Sequence, residues 1–177
     1  MKTLVILRHG KAEPHGAKIA DHGRGLIPRG VAASAAMGAH LGHNGPVPDL
    51  ILCSDARRAH ETMEAALGSL GAKPKIEIEP KLYLAEPDAI LRRLRKIDDR
   101  FGTVMIVGHN PGLQDLARDL VTSPAKGAAA DAFSRLVAKF PTGALAVLNL
   151  DIDSWAYADY GQARLEAFLS PKDLEKA

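Results

Sequence analysis

The stretch Leu4-Val5-Ile6-Leu7-Arg8-His9-Gly10 decides the fold of this chain. Its four consecutive apolar residues predict a strand buried on both faces, as strands are in the parallel sheets of α/β proteins. The arginine and the histidine end the apolar run, and the glycine after them permits a tight turn. The stretch therefore predicts a strand that delivers two polar side chains to one edge of a sheet.

Further apolar or alternating runs predict five more strands, with helical patterns between most of them. Ser54 is expected to cap the helix after the second strand, with Asp55 in its first turn. The alternating third strand suits a position nearer the sheet edge. The predicted strands are 50–53, 76–79, 103–107, 144–150 and 163–169, and the predicted helices are 30–43, 55–68, 87–100, 111–121 and 132–140.

The order of these elements indicates the fold class. Strands alternate with helices through the first two-thirds of the chain, which is typical of a parallel sheet between two helical layers. The last two strands suit a hairpin, so the sheet is expected to be mainly parallel but mixed. We predict a three-layer α/β/α sandwich in a single domain over residues 1–170, with residues 171–177 as a frayed tail. Residues 11–28, broken by prolines and glycines, predict a long functional loop.

Composition narrows the class of partner and the compartment. The chain has 23 basic and 21 acidic residues and a net charge of +2, a balance that disfavours nucleic acid as a partner. No apolar run approaches the roughly 20 residues that span a bilayer, and the first residues lack the apolar segment of a secretory signal. The single cysteine, Cys53, suits a reducing compartment. These features predict a cytoplasmic protein with neither a nucleic-acid nor a membrane partner.

Polar side chains follow three of the predicted strands, where parallel sheets bind their ligands. Arginine presents a planar fork that matches phosphate oxygens and stays charged at any physiological pH. A histidine held among arginines is disfavoured as a cation, so it is expected to be neutral and nucleophilic near pH 7. The pattern predicts a phosphate-handling site built from Arg8, His9, Arg57 or Arg58, and His109.

Three motifs carry a resemblance to a known family. They are Leu7-Arg8-His9-Gly10, the run Ser-Asp-Ala-Arg-Arg-Ala-His-Glu-Thr at 54–62, and Gly108-His109-Asn110-Pro111. In this order, at these strand ends, they resemble the histidine phosphatase, or phosphoglycerate mutase-like, superfamily over residues 3–150. The short chain and residues 21–30 resemble its small bacterial branch, the SixA-type phosphohistidine phosphatases.

The resemblance implies roles for individual residues. His9 would be the nucleophile, Arg8 and Arg58 would bind phosphate, and His109 would stabilise the transferring group. The family places an Arg-Ala pair four positions after the serine of its second motif, which selects Arg58 over Arg57. Where the family usually has a proline next to that serine, this chain has aspartate.

Two weaker candidates complete the predicted site. Arg24 could contact the substrate or structure its own loop. Larger family members supply a proton-donating glutamate from an insertion before the next strand, and the nearest counterpart here is Glu86. Releasing an alkoxide needs a general acid, whereas imidazole leaves phosphohistidine with much less help. The resemblance therefore implies removal of phosphate from a histidine-phosphorylated signalling or phosphotransfer protein, with no metal or cofactor.

Two alternatives remain open at this stage. One is a small-molecule phosphomonoesterase or mutase of the same superfamily, and the other is a non-catalytic phosphate-binding or interaction module. Two further kinds of site are disfavoured by spacing. Cys53 lies too close to the next arginines for a tyrosine-phosphatase loop, and the remaining histidines form no compact ligand pattern for a metal: His15, His22, His40, His43 and His60.

Overall fold

The computed structural model describes residues 1–16, 18–124 and 126–176. Six strands in these ranges form one sheet. They are β1 (Lys2–Arg8), β2 (Leu50–Cys53), β3 (Lys75–Ile78), β4 (Thr103–Gly108), β5 (Leu145–Leu150) and β6 (Ala163–Leu169).

The sheet has the strand order β3-β2-β4-β1-β5-β6. The pairs β2–β3, β2–β4 and β1–β4 are parallel, and the pairs β1–β5 and β5–β6 are antiparallel. The alternating strand β3 lies at one edge, as its sequence predicts. The chain therefore has the expected α/β fold with a mixed sheet.

Six helices accompany the sheet in the described residues: α1 (Pro28–Asn44), α2 (Arg57–Leu70), α3 (Pro87–Leu94), α4 (Gly112–Leu120), α5 (Ala128–Ala138) and α6 (Pro171–Glu175). Alternate residues of β1 point to opposite faces of the sheet. Leu4 and Ile6 pack into one apolar cluster with α3, α4 and α5. Val5 and Leu7 pack into a second cluster with α1 and α2. The sheet thus separates two cores. None of the helices in the described ranges is long and apolar enough to cross a membrane.

The predicted helix 87–100 is too long. Helix α3 ends at Leu94, although Ile97 beyond it is still buried. After Leu94 the backbone continues in i→i+3 turns, in which Lys96 N donates to the Arg93 carbonyl and Ile97 N donates to the Leu94 carbonyl. Two aspartates then bind backbone N–H groups outside any helix. Asp98 Oδ1 accepts from Arg100 N at 2.9 Å, and Asp99 Oδ1 accepts from Trp155 N at 2.7 Å.

The C-terminal residues also differ from expectation. The sequence predicts a frayed tail at 171–177, but residues 171–175 form α6. Ser170 and Asp173 make a reciprocal capping box that satisfies the backbone N–H groups at the start of this helix. Arg135 on α5 also binds the Asp173 carboxylate at 2.6 Å. Residue 177 lies outside the described residues.

Candidate active site

A cavity of about 430 Å³ opens at the carboxyl ends of β1 and β4. This is the edge at which parallel sheets bind ligands. Residues from six parts of the chain line it: the end of β1, the loop before α1, the start of α2, the segment before α3, the turn after β4 and the turn before β5. The polar side chains that matter most here are Arg8, His9, Asp21, Arg24, Arg58 and His109.

His9 lies at the floor of the cavity and is 7% exposed. Its Nδ1 atom is 2.8 Å from the carbonyl oxygen of Gly10. Because a carbonyl only accepts, Nδ1 must carry the proton, which leaves the lone pair on Nε2. Burial, and then the charges of Arg8, Arg58 and Arg24, lower the pKa of His9 to about 4, against a smaller upward effect of the Gly10 contact. His9 is therefore a neutral imidazole with a free Nε2 near pH 7.

Gly10 has a different role from the one expected. Its backbone is not in the left-handed region, so a tight turn does not require glycine here. A Cβ atom at this position would instead lie 2.7 Å from the Gly30 carbonyl oxygen and 2.8 Å from Ser34 Oγ. Glycine thus lets the loop after β1 pack directly on α1. Thr62 Oγ1 fastens the same loop to α2 by accepting from Gly10 N at 2.9 Å.

Two arginines flank His9. Arg8 Nη1 donates to the Phe140 carbonyl at 2.9 Å. Arg58 is 2% exposed and donates from Nη1 to the Asp21 carbonyl at 2.7 Å and from Nη2 to Asp21 Oδ2 at 3.1 Å. The Nε atoms of both arginines are buried without a hydrogen-bond partner in the described residues. Each guanidinium is therefore held in place while one donor stays unused.

His109, at the end of β4, completes the floor. Its ring centroid lies 5.3 Å from that of His9. Its Nε2 atom is 2.8 Å from Ser54 Oγ, and its Nδ1 atom is buried with no partner in the described residues. Burial, and then the neighbouring His9 and Arg58, lower its pKa to about 3. His109 is therefore neutral as well.

The contact with His109 corrects the prediction that Ser54 caps the next helix. Helix α2 begins at Arg57, and Ala56 precedes it without any side-chain cap. Asp55 lies before the helix rather than in its first turn, and it accepts a hydrogen bond from His22 Nε2 at 2.9 Å. The Ser54 hydroxyl therefore contacts His109 and also accepts from Ala56 N at 3.3 Å in the turn before the helix, whereas Asp55 contacts the loop that carries His22.

The two adjacent arginines at the start of α2 differ in their exposure to solvent. The Arg58 side chain is 3% exposed and lies in the cavity, whereas the Arg57 side chain is 57% exposed. Arg57 pairs with Glu61 one turn later, with Nε 2.7 Å from Oε1. The structure therefore places Arg58, the residue that the motif register selects, beside His9.

The structure shows the loop role of Arg24 and places its side chain at the cavity, whereas contact with a substrate stays a prediction. Arg24 fastens its own loop, because Nη1 donates to the Glu13 carbonyl at 2.6 Å and Nη2 donates to Asp21 Oδ1 at 2.8 Å.

Sequence reasoning missed Asp21. Its carboxylate accepts hydrogen bonds from Arg24, Arg58 and the Tyr83 hydroxyl. The Tyr83 hydrogen bond, and then those from the two arginines, hold its pKa well below the usual range of an aspartate. The only signal in the sequence is that Asp21 opens the segment that resembles the SixA branch, and a lone acid in a loop does not itself indicate such a role.

Glu86, the predicted proton donor, is not among the residues that line the cavity, and its role stays a prediction. Glu86 is exposed and lies immediately before α3. Leu84, two residues earlier in the same segment, lines the cavity instead.

Cys53 and the remaining histidines lie apart from this chemistry. Cys53 is buried in β2, and burial followed by the charges of Asp55 and Glu64 raises its pKa to about 12, so it is a thiol. In the ranges that the structure describes, no three side chains of histidine, cysteine, aspartate or glutamate converge as potential metal ligands.

Comparison with known proteins agrees with this geometry. The family model of the histidine phosphatase superfamily (branch 1) matches residues 4–86. An uncharacterised protein of Mycobacterium leprae is 36% identical over 94% of this chain and 100% of its own length. A solved structure from Nakamurella multipartitia, described as a candidate phosphohistidine phosphatase SixA, is 30% identical over 96% of both chains, with a TM-score of 0.82.

The chain belongs to the histidine phosphatase superfamily. A second member of this superfamily, a candidate SixA from Agrobacterium tumefaciens, is 29% identical, with a TM-score of 0.78 over 96% of this chain and 98% of that one. A solved structure with lower similarity, described as a candidate α-ribazole-5′-phosphate phosphatase from Escherichia coli, is 18% identical with a TM-score of 0.64 over 97% and 98% of the two chains. At that identity the likeness concerns the fold alone.

Proposed function

We propose that this protein is a phosphatase that captures a phosphoryl group on His9 and releases it to water, with a histidine-phosphorylated protein as its substrate. The observation that carries the proposal concerns buried side-chain atoms without a hydrogen-bond partner. Among the described residues there are four such atoms, and all belong to residues that line the one cavity: Arg8 Nε, Arg58 Nε, His109 Nδ1 and Asn110 Oδ1.

Unused buried donors are costly, so they point to a ligand that supplies acceptors. Three of the four atoms are nitrogens of residues that line the cavity with His9, and these carry the argument, whereas Asn110 Oδ1 is an acceptor that a phosphoryl group does not satisfy. Asn110 and Arg8 share one hydrogen-bond acceptor, because Asn110 Nδ2 and Arg8 Nη1 both donate to the Phe140 carbonyl, each at 2.9 Å. A phosphoryl group offers only acceptor oxygens when it is fully ionised. It therefore satisfies these donors in a way that a neutral ligand would not.

The proposed reaction has two steps. His9 Nε2 attacks phosphorus in line, the bond from phosphorus to the leaving atom breaks, and its electron pair stays on that atom. Arg8 and Arg58 neutralise the equatorial oxygens during the transfer, and His109 stabilises them by donating a hydrogen bond. His109 can donate from Nδ1 when its Nε2 accepts from the Ser54 hydroxyl, which their contact allows. Water then attacks phosphorus, breaks the bond to Nε2 and regenerates neutral His9.

Among the described residues, no carboxylic acid at the cavity is placed to donate a proton, which favours a phosphohistidine substrate. Glu86 lies outside the cavity, and Asp21 is ionised because its pKa is held low. Neither can protonate a leaving alkoxide, a step that typically contributes roughly 10²–10⁴-fold. An imidazole leaving group needs this help much less. We propose in addition that the arginines and His109, rather than a metal, stabilise the charge of the phosphoryl group. We also propose that the protein acts in the cytoplasm.

A second candidate function is hydrolysis of a small phosphate ester. The observation that favours it is the size of the cavity, since about 430 Å³ suffices for a small molecule.

The test is turnover of phosphohistidine, phosphoserine and a sugar phosphate in parallel by the wild type and by His9→Ala. We expect strong preference for phosphohistidine, an acid-labile and base-stable phosphate on the trapped wild type, and neither turnover nor label on a folded His9→Ala. Preference for the sugar phosphate would select the second candidate. Near-normal turnover by His9→Ala would refute the mechanism, and phosphate binding without turnover by the wild type would indicate a non-catalytic module.

A further inference from the structure

Asp21 carries the one carboxylate that lines the cavity among the described residues. A negative charge beside a bound phosphoryl group is unfavourable, because like charges repel over these distances. Part of the reason for its presence is structural, since it holds Arg24 and Arg58. An arginine can also be held by backbone carbonyls, as Phe140 holds Arg8. The carboxylate therefore calls for a second explanation.

An imidazole already lies against this carboxylate. His15 Nδ1 is 3.6 Å from Asp21 Oδ1, and the His15 side chain, which also lines the cavity, is 78% exposed. The Asp21 side chain is 30% exposed, whereas His9 lies at the floor with 7% exposure. The carboxylate is thus nearer the cavity mouth than the nucleophile. In-line attack sends the leaving group away from His9, towards that mouth.

We propose that Asp21 is a specificity-determining residue whose negative charge receives the protonated imidazole ring of a phosphohistidine, in the place that the His15 ring takes here. The inference rests on the proposed function and adds to it the means by which this site recognises the leaving group. A phosphorylated imidazole carries a positive charge when its other ring nitrogen is protonated, whereas an alkyl or aryl phosphate has no cationic leaving group. The carboxylate therefore separates the two substrate classes.

The chemistry of the step balances without an added acid. The bond from His9 Nε2 to phosphorus forms as the bond from phosphorus to the substrate nitrogen breaks, and the electron pair stays on that nitrogen. The proton that the substrate ring already carries on its other nitrogen stays there, so the ring departs as neutral imidazole. The positive charge is greatest in the bound substrate and only partly retained in the transition state. The contact should therefore act mainly on KM.

The experiment compares Asp21→Asn with the wild type on two probes, phosphoimidazole and 4-nitrophenyl phosphate. Only the first has a leaving group that can carry a positive charge. We expect the ratio of their kcat/KM values to fall by about tenfold in the variant, the scale of one charge-assisted contact, with most of the change in KM for phosphoimidazole. Asp151→Asn is the control, because Asp151 is an exposed aspartate that lies outside the cavity lining. It should leave the ratio unchanged.

An equal loss on both probes would overturn the inference, because Asp21 would then act only through Arg58. The proposed function would still stand if the wild type cleaves phosphoimidazole. A wild type that cleaves only 4-nitrophenyl phosphate would overturn both. If Asp21→Asn does not fold, His15→Ala decides, since this exposed side chain can be removed without unfolding the chain. It should lower KM for phosphoimidazole alone, and an unchanged or higher KM would reject the proposal.

Discussion

His9 and His109 face each other across the cavity floor with their ring centroids 5.3 Å apart. Both rings are buried, and burial is the largest cause that lowers their pKa values. The same desolvation that keeps His9 a free base makes its protonation costly to the folded state. The burial that suits His9 to the proposed catalysis is therefore expected also to lower the stability of the protein in acid.

This coupling predicts a pH-dependent stability. The pKa of His9 is lowered from its ordinary 6.5 to about 4, so the unfolded chain binds more protons between those pH values. The contribution of neutral His9 to the free energy of unfolding should be fully present above pH 6.5. It should decrease as the pH falls from there towards 4. Replacing His9 with glutamine should recover roughly 2–3 kcal/mol of that loss at pH 4.5, given about 1.4 kcal/mol per pKa unit. Urea unfolding at pH 7 and pH 4.5 measures the difference.

The control for this measurement is His43→Gln, which alters an exposed histidine near the end of α1. It should leave the difference in unfolding free energy between the two pH values as it is in the wild type. If His9→Gln loses as much stability on acidification as the wild type, His9 does not titrate as described.

At the scale of secondary structure, helix α2 places the adjacent residues Arg57 and Arg58 in two different environments. Consecutive helical residues point about 100° apart, given roughly 3.6 residues per turn. Arg58 consequently faces the cavity, while Arg57 faces solvent and pairs with Glu61. Thr62 lies one turn after Arg58 and accepts from Gly10 N, which ties the helix to the loop that follows β1.

The two arginines should therefore differ in mutant kinetics. Arg58→Ala should lower kcat/KM by on the order of 100-fold or more, the scale of removing one transition-state donor. Arg57→Ala loses only an exposed ion pair and should stay within a few-fold of the wild type, because such pairs contribute about 0–1 kcal/mol. Steady-state kinetics with one substrate on both variants makes the comparison. The reverse ranking would show that the other arginine serves the phosphoryl group.

The segment before α3 yields a second expectation at this scale. Glu86 is exposed and outside the cavity lining, so Glu86→Gln should change neither phosphohistidine nor alkyl phosphate turnover by more than about twofold. Surface substitutions away from a site usually cost within about 0.5 kcal/mol. Parallel rates on the two substrates are the measurement. Loss of both activities would make Glu86 the missing acid and would favour a general phosphomonoesterase.

At the scale of the whole molecule, the site depends on how closely α1 and α2 approach each other on one face of the sheet. Gly38 and Gly42 on α1 lie against the backbone of α2. A Cβ atom would be 2.1 Å from the Ala66 carbonyl oxygen at the first position and 2.4 Å from that of Leu70 at the second. These glycines let the two helix backbones meet, and α2 in turn carries Arg58 into the cavity.

Gly38→Ala should therefore destabilise the protein, because α1 must move away from α2 or the backbone must distort. Overpacking of this kind typically costs about 1–3 kcal/mol. Gly68→Ala on α2 is the matched control, since no atom lies within 4 Å of a Cβ atom there, and it should be neutral or stabilising by up to about 1 kcal/mol. Thermal unfolding of the two variants tests this. A Gly38→Ala variant as stable as the wild type would contradict the close packing.

Much of the fold and part of the site could be predicted from local patterns. Continuous apolar runs marked β1, β2 and β4, because a strand buried on both faces needs them whatever its neighbours are. The positions of Arg8, His9 and His109 followed, since each lies at the end of such a strand. Arg58 followed from the motif register. Their catalytic roles stay predictions.

The remaining features depend on contacts between distant parts of the chain. Whether Ser54 caps a helix or binds His109 depends on a partner 55 residues away, and both uses suit the same hydroxyl. Asp21 meets Tyr83 across 62 residues because of the path of the loop, for which the sequence has no periodicity. The position of Glu86 in the sequence suited a proton donor, but its side chain does not line the cavity. The sequence by itself determined the strands and the residues that end them, because burial and backbone geometry are local requirements. Only the tertiary structure decided which polar groups meet at the cavity, because loop paths and helix packing set those distances.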